Sequence, residues 1–423
     1  MSALAQALRG MGARVSGSDR FLDQGRGDLD VLAVLRRAGV QLLPQDGSGA
    51  TAGLTGVVVS SAIEADNPDL LAAQQRGVPV LHRAELLARL AAGRRLIAVT
   101  GTAGKTTVTG LLGYLLEGLG ANPTVINGGN VLNWQRANAT GSVRCGGTDL
   151  WVLEADESDQ SLLRFAPDWA IITNISKDHF ELPEVVALFR RFAAQVKTGI
   201  ICGPGVAELI RGYTAAALIE PADVKATYPS FLPGRHNAEN VLLAATLCEQ
   251  LGFAPVKIRA ALAGFQGLQR RLEKVGEARG VLVYDDYAHN PVKIVAAWRA
   301  VAPAQGRVFG LWRPHGYGPL KLMLRELADA FAAVCRPGDR VFLLPVFYAG
   351  GTASPTVTTA QLVDELRTRG VSAEAIPDDD QWPERLCAEL RPGDVVLCMG
   401  ARDPDLPKLA RRLTAGLQES KST

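Results

Sequence analysis

A glycine-rich turn with the sequence GTAGKTT contains the residue types that bind a polyphosphate. Gly101 and Gly104 allow the backbone to bend tightly and to direct successive N–H groups inward. Lys105 supplies a cation and Thr106 a hydroxyl able to bind Mg²⁺, and the helix predicted to follow would point its positive end at the same place. The turn therefore predicts a phosphate-binding loop. The alternative is a plain strand-to-helix turn, because Val99 stands where the general P-loop pattern has its first glycine.

Four carboxylates follow the predicted strand WVLEA, in the sequence EADESD. They are Glu154, Asp156, Glu157 and Asp159. Carboxylates at the carboxyl end of a parallel strand face the crevice where ligands bind. One of them could hold a Mg²⁺ ion that bridges nucleotide phosphates. The alternative is a solvated acidic loop without a ligand.

A third group of polar residues lies at the end of the apolar strand predicted in AIITNISKDHFE and comprises Asn174, Lys177, Asp178 and His179. A single histidine is more often structural than a metal ligand. We nevertheless expect a role for His179, because its strand would end at the same sheet edge as the phosphate loop.

Three further segments place histidines after turns or strands. In PGRHNAEN, His236 and Asn240 are four residues apart on a predicted helix, so both can face one pocket. The predicted strand in VYDDYAHNP ends with Asp286 and His289, and His315 follows the strand VFGLW. We take these residues as candidates for ligand contacts.

The composition argues against several classes of protein. The chain has 423 residues with a net charge of +2, and 47% of them are hydrophobic. This charge gives no indication of a nucleic acid or an anionic membrane as partner. The apolar runs are too short to span a bilayer, and the first residues do not resemble a signal peptide. Six scattered cysteines without a C-x-x-C pair indicate a reduced, cytoplasmic protein without a zinc site.

Short β-branched runs alternate with amphipathic helical stretches along the whole sequence. This alternation predicts an α/β fold, with parallel sheets covered by helices on both faces. We expect three domains: residues 1–94, residues 95–274 beginning at LIAVTGTAGKTT, and residues 275–423 beginning near VLVYDDYAHNP.

Six motifs in order resemble those of the Mur ligase family. They are GT-x-GKTT, EADESD, TNI-x-x-DH, PGRHN-x-x-N, the pair Arg270–Arg271, and DDYAH-x-P, and the resemblance covers almost the whole chain. It implies a Rossmann-like N-terminal domain for a UDP-sugar and a central P-loop-type ATPase domain. It also implies a Rossmann-like C-terminal α/β domain that closes over the active site.

The family resemblance also implies an activity. ATP, with Mg²⁺, would phosphorylate a substrate carboxylate, and an amine would attack the acyl phosphate to form an amide and release ADP. The branch that joins UDP-N-acetylmuramate to L-alanine in peptidoglycan precursor synthesis is most similar, and the branch that reattaches recycled murein peptide is next. A diverged ligase with other substrates and a degenerate, non-catalytic member remain as alternatives. The sequence does not indicate an oligomeric state.

The same resemblance implies roles for individual residues, including a catalytic set of Lys105, Glu154, His179, Arg271 and His289. The ATP phosphates would contact Gly101, Thr102, Ala103, Gly104, Lys105, Thr106 and Thr107, with Arg271 reaching the same phosphates. The Mg²⁺ ligands would be Thr106, Glu154 and His179. His236 and Asn240 resemble contacts to adenine, and Asp286 and His289 resemble contacts to the nucleotide or the incoming amine.

Four departures from the family pattern affect the substrate side more than the ATP side. The sequence starts at what resembles the family's first helix, so the first strand and its glycine-rich loop are not in the sequence; either the start is set too late or the UDP site is altered. Ala103 replaces the histidine usual in the alanine-adding branch. Gly316, Gly318 and Pro319 stand where the family has arginines after Pro-His. The segment before LPGRHN is short, so we expect a shortened central domain.

Overall fold

Short strands alternate with helices along the described part of the chain, as the sequence pattern predicts. The computed structural model describes residues 1–147, 149–177, 181–221, 228–230, 232–348, 356–376 and 381–419. Two units can be distinguished: the first contains Met1–Phe231 and Asn237–Gly267, and the second contains Leu232–His236 and Leu268–Thr423.

The strands in these residues are β1 (Ser16–Gly17), β2 (Gln41–Leu42), β3 (Val57–Val59), β4 (Val80–His82), β5 (Arg95–Thr100), β6 (Thr124–Ile126), β7 (Val143–Arg144), β8 (Leu150–Glu154), β9 (Trp169–Ile172), β10 (Gly199–Cys202), β11 (Ala217–Ile219), β12 (Glu273–Ala278), β13 (Val281–Asp286), β14 (Val308–Arg313), β15 (Arg340–Leu343), β16 (Ala373–Ala375) and β17 (Val395–Gly400).

The α-helices are α1 (Ser2–Gly10), α2 (Arg20–Asp23), α3 (Asp30–Arg37), α4 (Pro68–Gln75), α5 (Arg83–Ala91), α6 (Lys105–Gly118), α7 (Leu182–Ala193), α8 (Val206–Ile210), α9 (Arg235–Gln250), α10 (Pro255–Leu262), α11 (Pro291–Val301), α12 (Tyr317–Ala332), α13 (Thr359–Thr368), α14 (Trp382–Glu389) and α15 (Leu406–Glu419).

The first unit contains a sheet with β5 at its centre. Among the described residues this sheet has seven strands in the order β11-β10-β9-β5-β8-β6-β7, and only the β6–β7 pair is antiparallel. Every residue of β5 from Leu96 to Thr100 is buried. Such a continuous buried run is expected where helices cover both faces of a parallel sheet. Phe189 and Phe192 of α7 pack with Ala98 in one core, and α6 contacts β5, β6 and β8.

Residues before the central sheet form two small parallel pairs, β1 with β2 and β3 with β4. Helix α1 is fixed to the main sheet's loops by Gln6. The Gln6 amide nitrogen donates to Thr140 Oγ1 at 2.9 Å, and its amide oxygen accepts from the Thr140 N–H at 3.0 Å. Both side chains are buried, so this exchange satisfies polar groups that water cannot reach.

The second unit contains a sheet of six described strands in the order β12-β13-β17-β14-β15-β16. Its strands are parallel except for β12, which pairs antiparallel with β13. Trp298 of α11 and Phe331 of α12 are fully buried in the core that covers one face. Helices α14 and α15 contribute Leu386 and Leu413 to a second core.

Parallel register in the first unit brings three loops to one sheet edge. Val99 of β5 pairs with Glu154 of β8, and Thr100 of β5 pairs with Ile172 of β9. The chain after each strand therefore leaves the sheet at the same edge, where ligands of open parallel sheets bind. In the described part of the chain, no helix is long and apolar enough to cross a membrane.

We predict that Phe189→Ala lowers the free energy of unfolding by about 3–5 kcal/mol, because the cavity left in the core of the first unit cannot fully collapse. Denaturant unfolding followed by circular dichroism measures this loss. Leu182→Ala on the same helix is the control, since Leu182 is 45% exposed and its truncation should change stability by less than about 0.5 kcal/mol. Equal effects of the two substitutions would contradict the burial described for α7.

Candidate active site

Two glycines give the turn between β5 and α6 its shape. Gly101 has φ +134° and Gly104 has φ +85°, values that side-chain-bearing residues rarely adopt. Space is also restricted: a Cβ on Gly101 would lie 2.0 Å from Thr173 Oγ1, and a Cβ on Gly104 would lie 2.7 Å from Asn240 Oδ1. The sequence therefore requires glycine at both positions for conformation and for close packing.

Asn174, two residues after the end of β9, binds the backbone of the turn with its side chain. Its side-chain oxygen accepts from the Ala103 N–H at 3.0 Å, and its side-chain nitrogen donates to the Ala103 carbonyl at 2.9 Å. The Thr102 hydroxyl also donates to the side-chain oxygen of Asn174. Thr173 Oγ1 donates to the Ala103 carbonyl at 2.6 Å. The N–H of Ala103 is thus directed at Asn174, whereas Lys105, Thr106 and Thr107 form the first turn of α6, where N–H groups lack acceptors within the helix.

Lys105 is held by oxygens on both sides of the turn. Its Nζ donates to the Gly101 carbonyl at 2.9 Å and to Glu157 Oε2 at 2.5 Å, and it lies 3.8 Å from Asp156 Oδ1. Burial alone lowers the pKa of Lys105, but the attraction of Glu157 and Asp156 outweighs burial and raises it above its usual value. The side chain therefore remains a cation at neutral pH, as a phosphate-binding lysine must.

Thr106 and Glu154 supply oxygens suited to a divalent cation. Thr106 Oγ1 donates to Glu154 Oε1 at 3.0 Å, and Glu154 Oε2 accepts from the Gly128 N–H at 2.7 Å. Hydroxyl and carboxylate oxygens are the ligands that Mg²⁺ prefers. A Cβ on Gly128 would lie 2.7 Å from Glu154 Oε2, so a larger residue would displace the carboxylate.

The third predicted Mg²⁺ ligand, His179, lies outside the described residues. Among the residues that the structure does describe, no group of three or more His, Cys, Asp or Glu side chains is arranged to hold a metal ion. Thr106 and Glu154 are therefore the predicted Mg²⁺ ligands whose oxygens the structure describes.

Asn240 lies beside the phosphate-binding loop. Its Oδ1 faces Gly104, its Nδ2 donates to Asn237 Oδ1 at 3.3 Å, and the residue is only 6% exposed. The sequence predicted a contact to adenine for Asn240. The structure assigns Asn240 to the first unit and His236 to the second, although they lie four residues apart on α9.

In the second unit, Asp286 is engaged by backbone groups. Its two carboxylate oxygens accept from the N–H groups of Leu272 and Ala288, each at 2.8 Å. Burial raises the pKa of Asp286, and the guanidinium of Arg271 opposes that shift. Asp286, which was predicted to contact a ligand, thus also fixes the backbone next to Arg271.

Tyr287 is the centre of an aromatic and cationic cluster in this unit. The guanidinium carbons of Arg270 and Arg271 lie 5.2 and 5.1 Å from its ring centroid, within cation–π range. The His289 ring contacts Tyr287 edge-on at 5.7 Å and contacts the His315 ring at 5.1 Å. His289 and His315 were each predicted as candidate ligand residues after a strand, but neither their contact with one another nor a role for Tyr287 was predicted.

Arg313 is the last residue of β14, just before the Pro-His pair after which the family pattern has arginines. Arg313 Nη1 pairs with the buried Asp403 carboxylate at 2.8 Å, and 12% of its side chain is exposed. Burial, with smaller effects of Arg402 and Lys293, lowers the pKa of His315 to about 4. The His315 imidazole is therefore neutral at pH 7.

Sequence reasoning missed three contacts, two of them of the predicted phosphate-binding loop and one of the acidic sequence EADESD. Asn174 and Glu157 were recognised as polar residues at strand ends, but their contacts to Ala103 and Lys105 were not predicted. Arg83 at the start of α5 was not singled out, although its Nη2 lies 3.3 Å from Asp159 and 3.5 Å from Asp156. No local pattern marks Arg83, because its partners are more than seventy residues away in the chain.

Three profiles of one protein family match the chain. The Mur ligase family catalytic domain matches residues 1–95, the Mur ligase middle domain matches 99–185, and the Mur ligase glutamate ligase domain matches 270–402.

Relatives of known name are similar over nearly their whole length. The UDP-N-acetylmuramate–L-alanine ligase of Rhizobium meliloti is 33% identical over 95% of this chain and 91% of its own, and that of Gloeobacter violaceus is 35% identical over 97% and 93%. Among solved structures, the UDP-N-acetylmuramate-alanine ligase of Thermotoga maritima has a TM-score of 0.78 at 23% identity and covers 100% of this chain and 97% of its own. A murein peptide ligase of Psychrobacter arcticus has a TM-score of 0.67 at 19% identity, with coverage of 99% and 96%.

The three matched domains, together with relatives that are 33–35% identical over at least 95% of the chain, define an ATP-dependent ligase. The chain belongs to the Mur ligase family. The α/β fold with three family domains and the enzyme class predicted from the sequence are thereby confirmed.

We predict that Gly101→Ala destabilises the first unit by about 1–3 kcal/mol, because alanine is strained at this φ and its Cβ meets Thr173. Thermal unfolding of the full chain measures the loss. Gly120→Ala, just beyond the other end of α6, is the control: Gly120 also has a positive φ of +82° but open space around it, so only the conformational penalty of about 1 kcal/mol applies.

The double variant Gly101→Ala/Thr173→Ala separates strain from collision. Removal of Thr173 Oγ1 should restore part of the stability lost in Gly101→Ala, because the nearest atom to the new Cβ is gone. Strictly additive losses in the double variant would show that the two residues do not meet.

Proposed function

We propose that this ligase joins the carboxylate of UDP-N-acetylmuramate to the amine of L-alanine in peptidoglycan precursor synthesis, with release of ADP and phosphate. The observation that carries this proposal is the similarity, over 95% of the chain or more, to ligases named for these two substrates. The partners are then small molecules, a UDP-sugar acid and an amino acid. ATP and UDP-sugars are cytoplasmic metabolites, so we propose the cytoplasm as its location.

The proposed ATP site uses the loop from Gly101 to Thr107. Lys105 would bind phosphate oxygens in place of Glu157, and the N–H groups of the first turn of α6 would donate to them. Asn240 and His236 are proposed contacts to adenine, and Arg271 is proposed to reach the phosphates. MurF of Thermotoga maritima, a ligase solved in complex with ADP, has a TM-score of 0.59 at 16% identity and covers 88% of this chain and 97% of its own.

The proposed Mg²⁺ ligands are Thr106, Glu154 and His179. When bound, Mg²⁺ neutralises charge on the phosphates during transfer. The distance of 3.0 Å between Thr106 Oγ1 and Glu154 Oε1 is compatible with both oxygens facing one ion.

The chemistry requires positioning more than a protein nucleophile. The substrate carboxylate attacks the γ-phosphorus and ADP leaves, so that an acyl phosphate forms. The amine then attacks the acyl carbon, and the tetrahedral intermediate collapses to an amide as phosphate leaves. Lys105 and Arg271 are proposed to stabilise charge on the transferred group. Asp286 and His289 are proposed to contact the nucleotide or the amine.

The predicted boundaries, residues 1–94 for the UDP-sugar domain, 95–274 for a shortened ATPase domain and 275–423 for the C-terminal domain, are retained as part of this proposal. They agree in order with the family matches at residues 1–95, 99–185 and 270–402.

A second candidate is a murein peptide ligase, which would use a peptide as the amine. Two sequence features depart from the pattern of the alanine-adding branch and leave the amine open: Ala103 in the proposed phosphate-binding loop, and Gly316, Gly318 and Pro319 after His315. The fold also resembles a murein peptide ligase of known structure. Phosphate release from ATP that depends on UDP-N-acetylmuramate and L-alanine supports the first proposal, whereas release that requires a murein tripeptide supports the second.

We predict that Lys105→Ala lowers this phosphate release on the order of 10²–10³-fold, because charge on the transferred phosphoryl group loses its cation. Lys197→Ala is the matched control, since Lys197 in the same unit is 57% exposed and pairs only loosely with Asp168 at 3.4 Å. Turnover of Lys105→Ala at the level of Lys197→Ala would refute the assignment of the phosphate loop.

We predict that Glu154→Gln raises the Mg²⁺ concentration needed for half-maximal activity at least about tenfold, because a neutral amide is a poorer ligand for a hard cation. Activity is measured over a Mg²⁺ titration at constant ATP. Glu184→Gln, an exposed change on α7, should leave the titration unchanged. An unshifted curve for Glu154→Gln would remove Glu154 from the proposed metal site.

A further inference from the structure

The residues after β8 form an acidic loop, Asp156–Asp159, that is tightly organised. The Asp156 carboxylate accepts from the Ser158 N–H at 3.1 Å, and Asp159 accepts from the Ser161 N–H at 3.0 Å. The Asp156 carbonyl accepts from the Leu162 N–H at 3.0 Å. These bonds order the loop that carries three carboxylates, those of Asp156, Glu157 and Asp159.

Two of these carboxylates, those of Glu157 and Asp156, attract the Lys105 ammonium. Glu157 Oε2 accepts from Lys105 Nζ at 2.5 Å with only 3% of the Glu157 side chain exposed, and Asp156 lies 3.8 Å from the same ammonium. A lysine that binds phosphate must exchange this pairing for the phosphate oxygens. Each negative charge near the Lys105 ammonium that no cation balances makes this exchange less favourable. The reason is that Coulomb attraction is strong where water is excluded.

Arg83 compensates this charge from a different part of the sequence. Its Nη2 lies between the loop's two aspartates, 3.3 Å from Asp159 Oδ2 and 3.5 Å from Asp156 Oδ2. Arg83 begins α5, and the preceding His82 caps that helix by accepting from the Ala84 N–H. Helix α5 also contacts the turn at Ser161–Arg164 that follows the acidic loop. The backbone that carries Arg83 is therefore fixed by this helix, and 34% of the Arg83 side chain is exposed.

We propose that Arg83 is a positioning residue for the ATP site: it neutralises Asp156 and Asp159 so that the acidic loop can release Lys105 to the nucleotide phosphates. This inference rests on the proposed function of Lys105. Arg83 acts through the acidic loop, and its own contacts are to carboxylates. It links the segment before residue 94, which is proposed to bind the UDP-sugar, to the lysine that binds ATP.

The experiment is calorimetric titration of MgADP into the full chain. Arg83→Gln should weaken the affinity about fivefold, within the range of coupling through one intermediate residue. Arg83→Lys keeps the charge and should stay within about twofold of the unmodified protein. Arg89→Gln is the control on the same helix, because Arg89 is 61% exposed and pairs with Glu85 one turn earlier.

Charge compensation distinguishes this role from a general structural one. Arg83→Gln/Asp159→Asn removes one positive and one negative charge, and it should restore the affinity to within about twofold. Asp159 is chosen because Asp156 itself lies close to Lys105. If Arg83→Gln binds MgADP as well as Arg89→Gln does, or if the double variant binds no better than Arg83→Gln, the proposal is wrong.

The outcome also separates this inference from the proposed function. If the unmodified protein does not bind MgADP, the assignment of the ATP site fails. If it binds MgADP and Arg83→Gln binds equally well, only the role of Arg83 fails. Thermal unfolding of each variant, expected within about 2–4 °C of the unmodified protein for a partly exposed ion pair, confirms that the compared proteins are folded.

Discussion

Parallel pairing of β5 with β8 on one side and with β9 on the other is the constraint on which the ATP site depends. Because the register joins Val99 to Glu154 and Thr100 to Ile172, the three following loops must leave the sheet together. The glycine turn, the acidic loop and the Thr173–Asn174 segment then exchange hydrogen bonds at distances of 2.5–3.0 Å. A slip of register by one residue would turn these side chains to the opposite face of the sheet.

Electrostatic balance is the second condition for this site. Lys105 is mostly buried, and an unpaired buried cation is costly, so its carboxylate partners stabilise it in the form that a phosphate requires. The same partners oppose phosphate binding by attraction. A site of this kind needs a compensating cation, and Arg83 is the residue that lies at the right distance from the acidic loop.

Much of the fold and part of the site could be predicted from the sequence. The alternation of apolar runs with helical stretches indicated parallel sheets, and GTAGKTT, EADESD and AIITNI each lay at a predicted strand end. These patterns are local, so the residues that carry them are close in the chain. The contacts of Asn174 with Ala103 and of Arg83 with Asp159 join residues 71 and 76 positions apart, and only the folded arrangement reveals them. The engagement of Arg313 with Asp403, 90 positions later, was hidden for the same reason.

The side chain of Asn174 bonds to backbone atoms of Ala103, its N–H and its carbonyl oxygen. These hydrogen bonds therefore do not require a particular side chain at residue 103, and Ala103 itself is exposed. The side chain of residue 103 can therefore change during evolution, and with it the substrate preference of the enzyme, while these hydrogen bonds of the turn are kept. In this turn the Asn174 bonds hold the backbone, and residue 103 is a position whose side chain can vary.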